Sequence, residues 1–139
     1  MEIVNSREAL LVRKSDLAQS RFSDAKLSLS SFDDVDMQGS TFTNINLGKA
    51  SFIDVNLSNV SIKNANLTDM KINDAKAPLS SFDDVNMQGS TFTNINLGNA
   101  SFIDVDLSNV SIKNANLTGM TINDVLVSEL IRVYEKHSK

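Results

Sequence analysis

The stretch "SFDDVNMQGSTFTNINLGNASFIDVDLSNVSIKNANL", residues 81–117, repeats its large apolar side chains at intervals of five. They are Phe82, Met87, Phe92, Leu97, Phe102, Leu107, Ile112 and Leu117. A helix spaces apolar residues three and four apart and a strand spaces them two apart, so neither alone explains the pattern. A small or apolar residue two places earlier shares one side of an extended segment with each large one. The fifth residue requires a corner, and the pattern therefore predicts a β-solenoid.

The five-residue frame runs from residue 10 to residue 127, and its ends predict caps because a solenoid must cover its last coils. Phe or Ile alternates with Leu or Met at the large positions, so the sequence repeat is ten. Residues 1–9 are predicted to be an N-terminal cap. Residues 128–139 are predicted to be a C-terminal helix and tail, with Ser128 as the N-cap. One solenoid domain over residues 1–139 follows.

A block of fifty residues occurs twice, at 24–73 and 74–123, with differences at only seven positions. Solenoids grow by duplication of units, and near-identity indicates a duplication that is either recent or engineered. At the junction of the two blocks, Ala77 replaces the large residue found at Leu27, and Pro78 follows it. Since proline has no amide donor, Pro78 is predicted to lie where no ladder bond is needed.

Several five-residue units carry a recognisable consensus, a small or apolar residue, Asn or Asp, Leu or Phe, and two polar residues. "ANLTD" (65–69), "ANLTG" (115–119) and "VNLSN" (55–59) match it directly. In these units the chain resembles the pentapeptide-repeat family over roughly residues 10–127. The resemblance implies an all-β fold, a right-handed quadrilateral β-solenoid with four units per coil. The chain would form about five to six coils with a short C-terminal helical cap.

Four units per coil would stack the Phe and Ile side chains in two columns on opposite faces of the interior. Like would lie over like at the roughly 4.8 Å spacing of paired strands. One predicted column is Phe22, Phe42, Ile62, Phe82, Phe102 and Ile122, and the other is Phe32, Phe52, Ile72, Phe92 and Ile112. Ala77 is predicted to leave its own Leu/Met column under-filled.

Composition and charge exclude several classes of protein. The chain has no Cys, so disulfides and thiolate metal sites are absent, and it has no apolar run of about eighteen residues that would span a membrane. No signal peptide is recognisable, and a cytoplasmic location is the expectation. Residues 24–124 contain twelve Asp and six Lys, which disfavours direct binding of nucleic acid.

Motifs that resemble chemical sites have simpler explanations in the repeat. "DVDMQG" (34–39) imitates the start of an EF-hand loop, but the twelfth position, which needs a carboxylate, is Ile45. His137 is the only histidine and is expected to be a solvated surface residue. No base, nucleophile and pocket converge. We therefore predict no catalytic residues, no metal site and no cofactor.

Two functions remain open from the sequence. The first is a non-catalytic structural or interaction scaffold. The second is a DNA-mimicking binder of a type II topoisomerase such as DNA gyrase, suggested by the family resemblance and by two predicted acidic stripes. The fifty-residue copy equals 2.5 coils, so the stripes should lie on opposite faces: Asp34, Asp54 and Asp74 on one, and Asp84, Asp104 and Asp124 on the other.

The sequence also indicates self-association through the C-terminal cap. Leu130, Ile131, Val133 and Tyr134 are a larger apolar set than one end of a narrow rod needs. An isologous contact between two C-terminal ends would give a homodimer. No further protein partner can be named from the sequence.

Overall fold

The computed structural model describes residues 2–4 and 7–137 as a β-solenoid that ends in one helix. The strands and the helix, in chain order, are β1 (Glu2–Val4), β2 (Leu11–Asp16), β3 (Arg21–Lys26), β4 (Ser31–Asp36), β5 (Thr41–Asn46), β6 (Ser51–Asn56), β7 (Ser61–Asn66), β8 (Lys71–Lys76), β9 (Ser81–Asn86), β10 (Thr91–Asn96), β11 (Ser101–Asp106), β12 (Ser111–Asn116), β13 (Thr121–Ile122), β14 (Val125–Leu126) and α1 (Val127–His137). The solenoid has about six turns, as the sequence predicts.

The strands form two parallel sheets on opposite sides of the rod. The odd-numbered strands and β14 make sheet A, in the order β1-β3-β5-β7-β9-β11-β13-β14, and the even-numbered strands from β2 to β12 make sheet B. From β2 to β13, paired residues of neighbouring strands are twenty apart in sequence, for example Phe22 and Phe42. One coil is therefore twenty residues, or four five-residue units.

Stacked aromatic rings fill the space between the sheets. The Phe22 and Phe42 rings stack with centroids 4.6 Å apart, and Phe82 and Phe102 stack at 4.5 Å. Phe22 of sheet A meets Phe32 of sheet B edge to face at 6.4 Å, so the two columns touch across the interior. Such arrangements contribute beyond the burial of their apolar area.

A left-handed backbone conformation makes each corner. From residue 14 to residue 124, every fifth residue has a positive φ, as at Asn44, Lys49 and Asp54. Asn, Asp and Gly tolerate this region best, which explains why they dominate the second place after each large residue. Two leucines, Leu29 and Leu79, occupy it as well, with φ of 66° and 60°.

Side-chain hydrogen bonds from Asn and Asp close the corners that follow each strand. Asn46 Oδ1 accepts a hydrogen bond from the Gly48 amide at 2.8 Å, two residues further on. The same Asx turn forms at Asp16, Asp36, Asn56, Asn66, Asn86, Asn96, Asp106 and Asn116. It satisfies the one amide of the corner that points away from the ladder.

The junction between the two blocks uses this feature differently. Lys76 stands where the other corners have Asn or Asp, and Pro78 stands where they have the donated amide. Acceptor and donor are therefore missing together, and the amide of Leu79 still donates to the Gly98 carbonyl at 2.9 Å. Pro78 thus lies at a place that needs no ladder bond. Ala77 is 1% exposed.

The two ends of the rod differ from the predicted boundaries. β1 lies within the predicted cap of residues 1–9 and pairs with β3 as an extra strand, with Glu2 opposite Arg21, a displacement of nineteen rather than twenty. Residues 1, 5, 6, 138 and 139 lie outside the described part. At the other end the regular coil stops at Ile122, before the predicted residue 127, because β13 and β14 form an antiparallel hairpin. α1 begins at Val127, so Ser128 lies in its first turn rather than at the N-cap.

Candidate functional site

The two predicted Asp stripes lie on different sheets. Asp34, Asp54 and Asp74 belong to β4, β6 and β8 of sheet B, one coil apart. Asp84 and Asp104 belong to β9 and β11 of sheet A. Asp124 follows β13 in the turn of the hairpin. The acidic stripe therefore changes sides of the rod near the junction of the two blocks.

Amide side chains extend each stripe and hydrogen-bond its carboxylates. Asn94 Nδ2 donates to Asp74 Oδ1 at 3.0 Å, and Asn44 Nδ2 donates to Asp24 Oδ1 at 3.2 Å. These contacts join neighbouring coils and give each of the two carboxylates a donor. The stripe is consequently a mixed ladder of charge and amide rather than an unbroken line of charge.

One carboxylate, that of Asp106, has a perturbed acidity. Hydrogen bonds from the Ser108 hydroxyl at 2.6 Å and the Ser108 amide at 2.9 Å hold the pKa of Asp106 below its ordinary value. Both donors favour the ionised form. Asp106 is exposed, and this is the same Asx turn found at the uncharged corners, so the shift reflects a structural turn.

Metal and membrane sites find little support in the residues that the structure describes. No three His, Asp or Glu side chains lie close enough to hold a metal ion, and Ile45 of the EF-hand-like segment is 4% exposed in the core. A depression of about 390 Å³ beside Arg7, Lys26 and Asn44 opens to solvent. His137 is the last residue of α1. Within the described ranges no helix is long and apolar enough to cross a membrane.

The predicted Phe and Ile columns are buried along the rod but not at its C-terminal end. Nine of the eleven side chains are at most 4% exposed. Ile112 and Ile122 are only partly buried, as are other interior residues of the last coil: Val105, Leu107, Val110, Ala115 and Leu117. The C-terminal end of the core is therefore open.

The helix does not close this end. None of the residues of α1 is buried. The predicted contact residues Leu130, Ile131, Val133 and Tyr134 are 49%, 42%, 42% and 72% exposed. On its polar side, Arg132 pairs with Glu129, which lowers the pKa of Glu129 and raises that of Arg132. An open apolar core and an uncovered apolar helix face thus lie at the same end of the rod.

Comparison with known proteins agrees with this architecture. A sequence model of the pentapeptide repeat region matches residues 25–102, more than half of the chain. The chain belongs to the pentapeptide-repeat family. No curated protein sequence matches it.

Solved pentapeptide-repeat structures are similar in fold. The protein Rfr23 of the cyanobacterium Cyanothece 51142 is 19% identical, with 89% of this chain and 90% of that chain covered and a TM-score of 0.40. A pentapeptide-repeat protein of the Arabidopsis thaliana thylakoid lumen is 29% identical, with 88% and 75% covered and a TM-score of 0.41. QnrB1, a plasmid-mediated fluoroquinolone resistance protein, is 12% identical, with 94% and 98% covered and a TM-score of 0.36.

Buried serines are a feature of this pentapeptide-repeat protein that the sequence pattern did not reveal. Ser40 Oγ donates to the Leu17 carbonyl at 2.9 Å and accepts from the Ser20 amide at 3.1 Å, and Ser90 bridges Leu67 and Met70 in the same way. The pattern marks these places only as small. The signal available was that serine alternates there with Ala and Val, which indicates an inward position.

Proposed function

We propose that this pentapeptide-repeat protein is a non-catalytic interaction scaffold whose C-terminal end binds a second copy of the chain. The observation that carries the proposal is the coincidence, at one end, of a partly exposed core and a helix with no buried residue. Leu130, Ile131 and Tyr134 lie on one side of α1 by helical spacing. Covering them together with the last coil removes apolar surface from water, which drives association.

A two-fold contact suits this end. In an isologous interface the same patch serves both partners, and the assembly closes as a dimer instead of growing. The outer edge of β12 has no paired strand among the described residues, and such edges are covered in stable assemblies. A second copy can supply both an apolar helix face and a strand edge.

Sedimentation velocity over a range of concentrations tests the homodimer. We expect the unchanged protein to sediment as a dimer and the Leu130→Asp variant to sediment as a monomer, because a buried unpaired carboxylate is costly. Leu79→Asp is the matched control, since Leu79 is also exposed, at 58%, but lies at a corner of the rod. That control should remain dimeric. A purely monomeric unchanged protein would refute the proposal.

The acidic faces support a second candidate function, binding to a type II topoisomerase such as DNA gyrase in place of DNA. Carboxylates recur on successive coils of sheet B at Asp34, Asp54 and Asp74. Their spacing, about 4.8 Å, is wider than the ~1.7 Å per charge of duplex DNA, and the stripe changes faces. Scaffolding is therefore the first candidate. A supercoiling assay decides, since no inhibition of gyrase at micromolar protein would remove the mimic.

A further inference from the structure

The last regular coil leaves one corner ladder unfinished on the side that follows β11. In the preceding coil, the Met87 and Gly89 amides donate to the carbonyls of Asp106 and Ser108, each at 2.9 Å. The corresponding amides of Leu107 and Asn109 have no backbone acceptor among the described residues. In a continued coil their acceptors would be the carbonyls of residues 126 and 128.

The side chains of the same corner are uncovered as well. Val105, Leu107 and Val110 are partly buried, whereas their counterparts one coil earlier, Val85 and Met87 among them, are at most 3% exposed. Interior residues of a solenoid are normally covered by the next coil. This corner therefore lacks a covering segment of about eight residues.

The chain that follows has the sequence of that missing segment. Twenty residues after Val105, Leu107 and Val110 come Val125, Val127 and Leu130. Between them, Ser128 occupies the place of Ser108, and Asp124 already has the left-handed φ, 65°, of a corner residue. The five-residue pattern is thus satisfied as far as Leu130, although the coil stops at Ile122.

A single backbone rotation diverts the chain from this path. Asn123 has a φ of 47°, and with Asp124 it makes a two-residue turn that sends β14 back along β13. Two consecutive left-handed residues are the requirement of a type I′ hairpin. As a result Val125 and Leu126 are each 46% exposed.

We propose that residues 123–130 are a strap with two positions, the observed hairpin and a closed form that continues the coil over Val105, Leu107 and Val110. Closing gives acceptors to the Leu107 and Asn109 amides and buries three apolar side chains. It gives up the first turn of α1 and the bond from the Val127 amide to the Met120 carbonyl, 3.0 Å long. The hairpin position presents the open end to a partner, and the closed position withdraws it. This strap is a property of one chain and does not rest on the proposed dimer.

Amide exchange measured by NMR on the full chain, at a concentration where it is monomeric, tests the strap. Asn123→Ile places a β-branched residue where the hairpin needs a positive φ, and Ile103 shows that the coil accepts isoleucine at the same place. We expect exchange at Leu107 and Asn109 to slow on the order of tenfold, the population change that such a residue imposes in the left-handed region. Asn73→Ile is the matched control, because Asn73 lies within a regular coil, and it should leave both amides unchanged.

A disulfide between Ser108→Cys and Ser128→Cys gives a second measurement in a chain that has no cysteine of its own. Residues one coil apart are about 4.8 Å apart, within the range that a disulfide can bridge. The cross-linking yield should rise with Asn123→Ile and fall with Asn123→Gly, since glycine favours the hairpin. The pair Gln88→Cys and Ser108→Cys, already one coil apart, is the positive control.

The outcomes separate cleanly. Unchanged exchange at Leu107 and Asn109 in a folded Asn123→Ile protein would overturn the strap. If Asn123→Ile does not fold, a cross-linking yield that is the same for Asn123→Gly and for the unchanged residue overturns it instead. A monomeric protein that shows both expected changes supports the strap while removing the dimer.

Discussion

The tripeptide Ile-Asn-Asp occurs at residues 72–74 and again at 122–124, with two different backbone conformations. At the first site the strand β8 runs straight through Asn73, which lies opposite Ile53 on one side and Thr93 on the other. At the second site Asn123 turns into the left-handed region and the chain reverses. Local sequence is the same, so the surroundings decide.

The difference lies in the number of neighbouring strands. β8 is paired with β6 and β10, whereas β13 has β11 on one side and only its own return strand β14 on the other. At the end, the Asn123 side chain accepts a hydrogen bond from the Asp104 amide at 3.1 Å, which stabilises the turn. A coil conformation in this protein is therefore imposed by the coils on either side of it, and an unpaired coil can take another form.

The largest effect should come from truncating the same isoleucine at the two sites. Ile72 is 2% exposed and fully enclosed, so Ile72→Ala should lower the free energy of unfolding by about 2–5 kcal/mol. Ile122 is only partly buried, and Ile122→Ala should cost less than half as much because solvent and neighbours can fill the space. Urea denaturation of both variants measures the difference. Equal losses would contradict the open C-terminal end.

Filling the junction between the blocks should produce a gain of moderate size. Ala77→Leu adds about three buried carbon groups, and at ~0.8 kcal/mol each it should stabilise the protein by about 2 kcal/mol. The matched variant in the other block, Leu27→Ala, should destabilise it by about 2–5 kcal/mol. If Ala77→Leu lowers the thermal midpoint instead, the backbone beside Ala77 has already closed over the site and the added side chain is overpacked.

The sequence predicted most of the fold because its dominant signal is an interior one. The five-residue frame identified inward side chains such as Phe42 and Phe92, and the twenty-residue coil placed Asp34 and Asp84 on different sheets. The hairpin was not predictable from the same pattern, since Asn123 and Asp124 repeat Asn73 and Asp74. β1 was missed because its register is displaced by one residue from the repeat.

The two exposed leucines at corners should show a smaller effect. A leucine at positive φ is strained by roughly 1–2 kcal/mol, and asparagine tolerates that region better. Leu29→Asn and Leu79→Asn should each raise the free energy of unfolding by about 1 kcal/mol, or the thermal midpoint by roughly 4 °C. Differential scanning calorimetry checks this. A loss of stability in both variants would mean that the leucine side chains make contacts that outweigh the strain.

The smallest predicted effect distinguishes the two blocks by pH. Asn56 and Asp106 occupy equivalent corners and accept the same hydrogen bonds from Ser58 and Ser108, but only Asp106 ionises. Because the pKa of Asp106 is below its ordinary value, its contribution to stability is present above that value and is lost as the pH falls through the folded pKa. Ser108→Ala should raise the pKa of Asp106 in a carboxyl NMR titration. A pKa that stays unchanged would show that the Ser108 hydroxyl makes no lasting bond.

Deleting one block gives the most direct test that the surroundings, rather than the tripeptide, set the backbone. Removal of residues 74–123 leaves 89 residues and joins Asn73 to Asp124, so that Asn73 becomes the residue before the C-terminal segment. Backbone NMR can then report the φ of Asn73 in the shortened and full-length proteins. The account predicts that φ changes from the extended region to a positive value near that of Asn123. An Asn73 that keeps its extended φ in a folded shortened protein would contradict it.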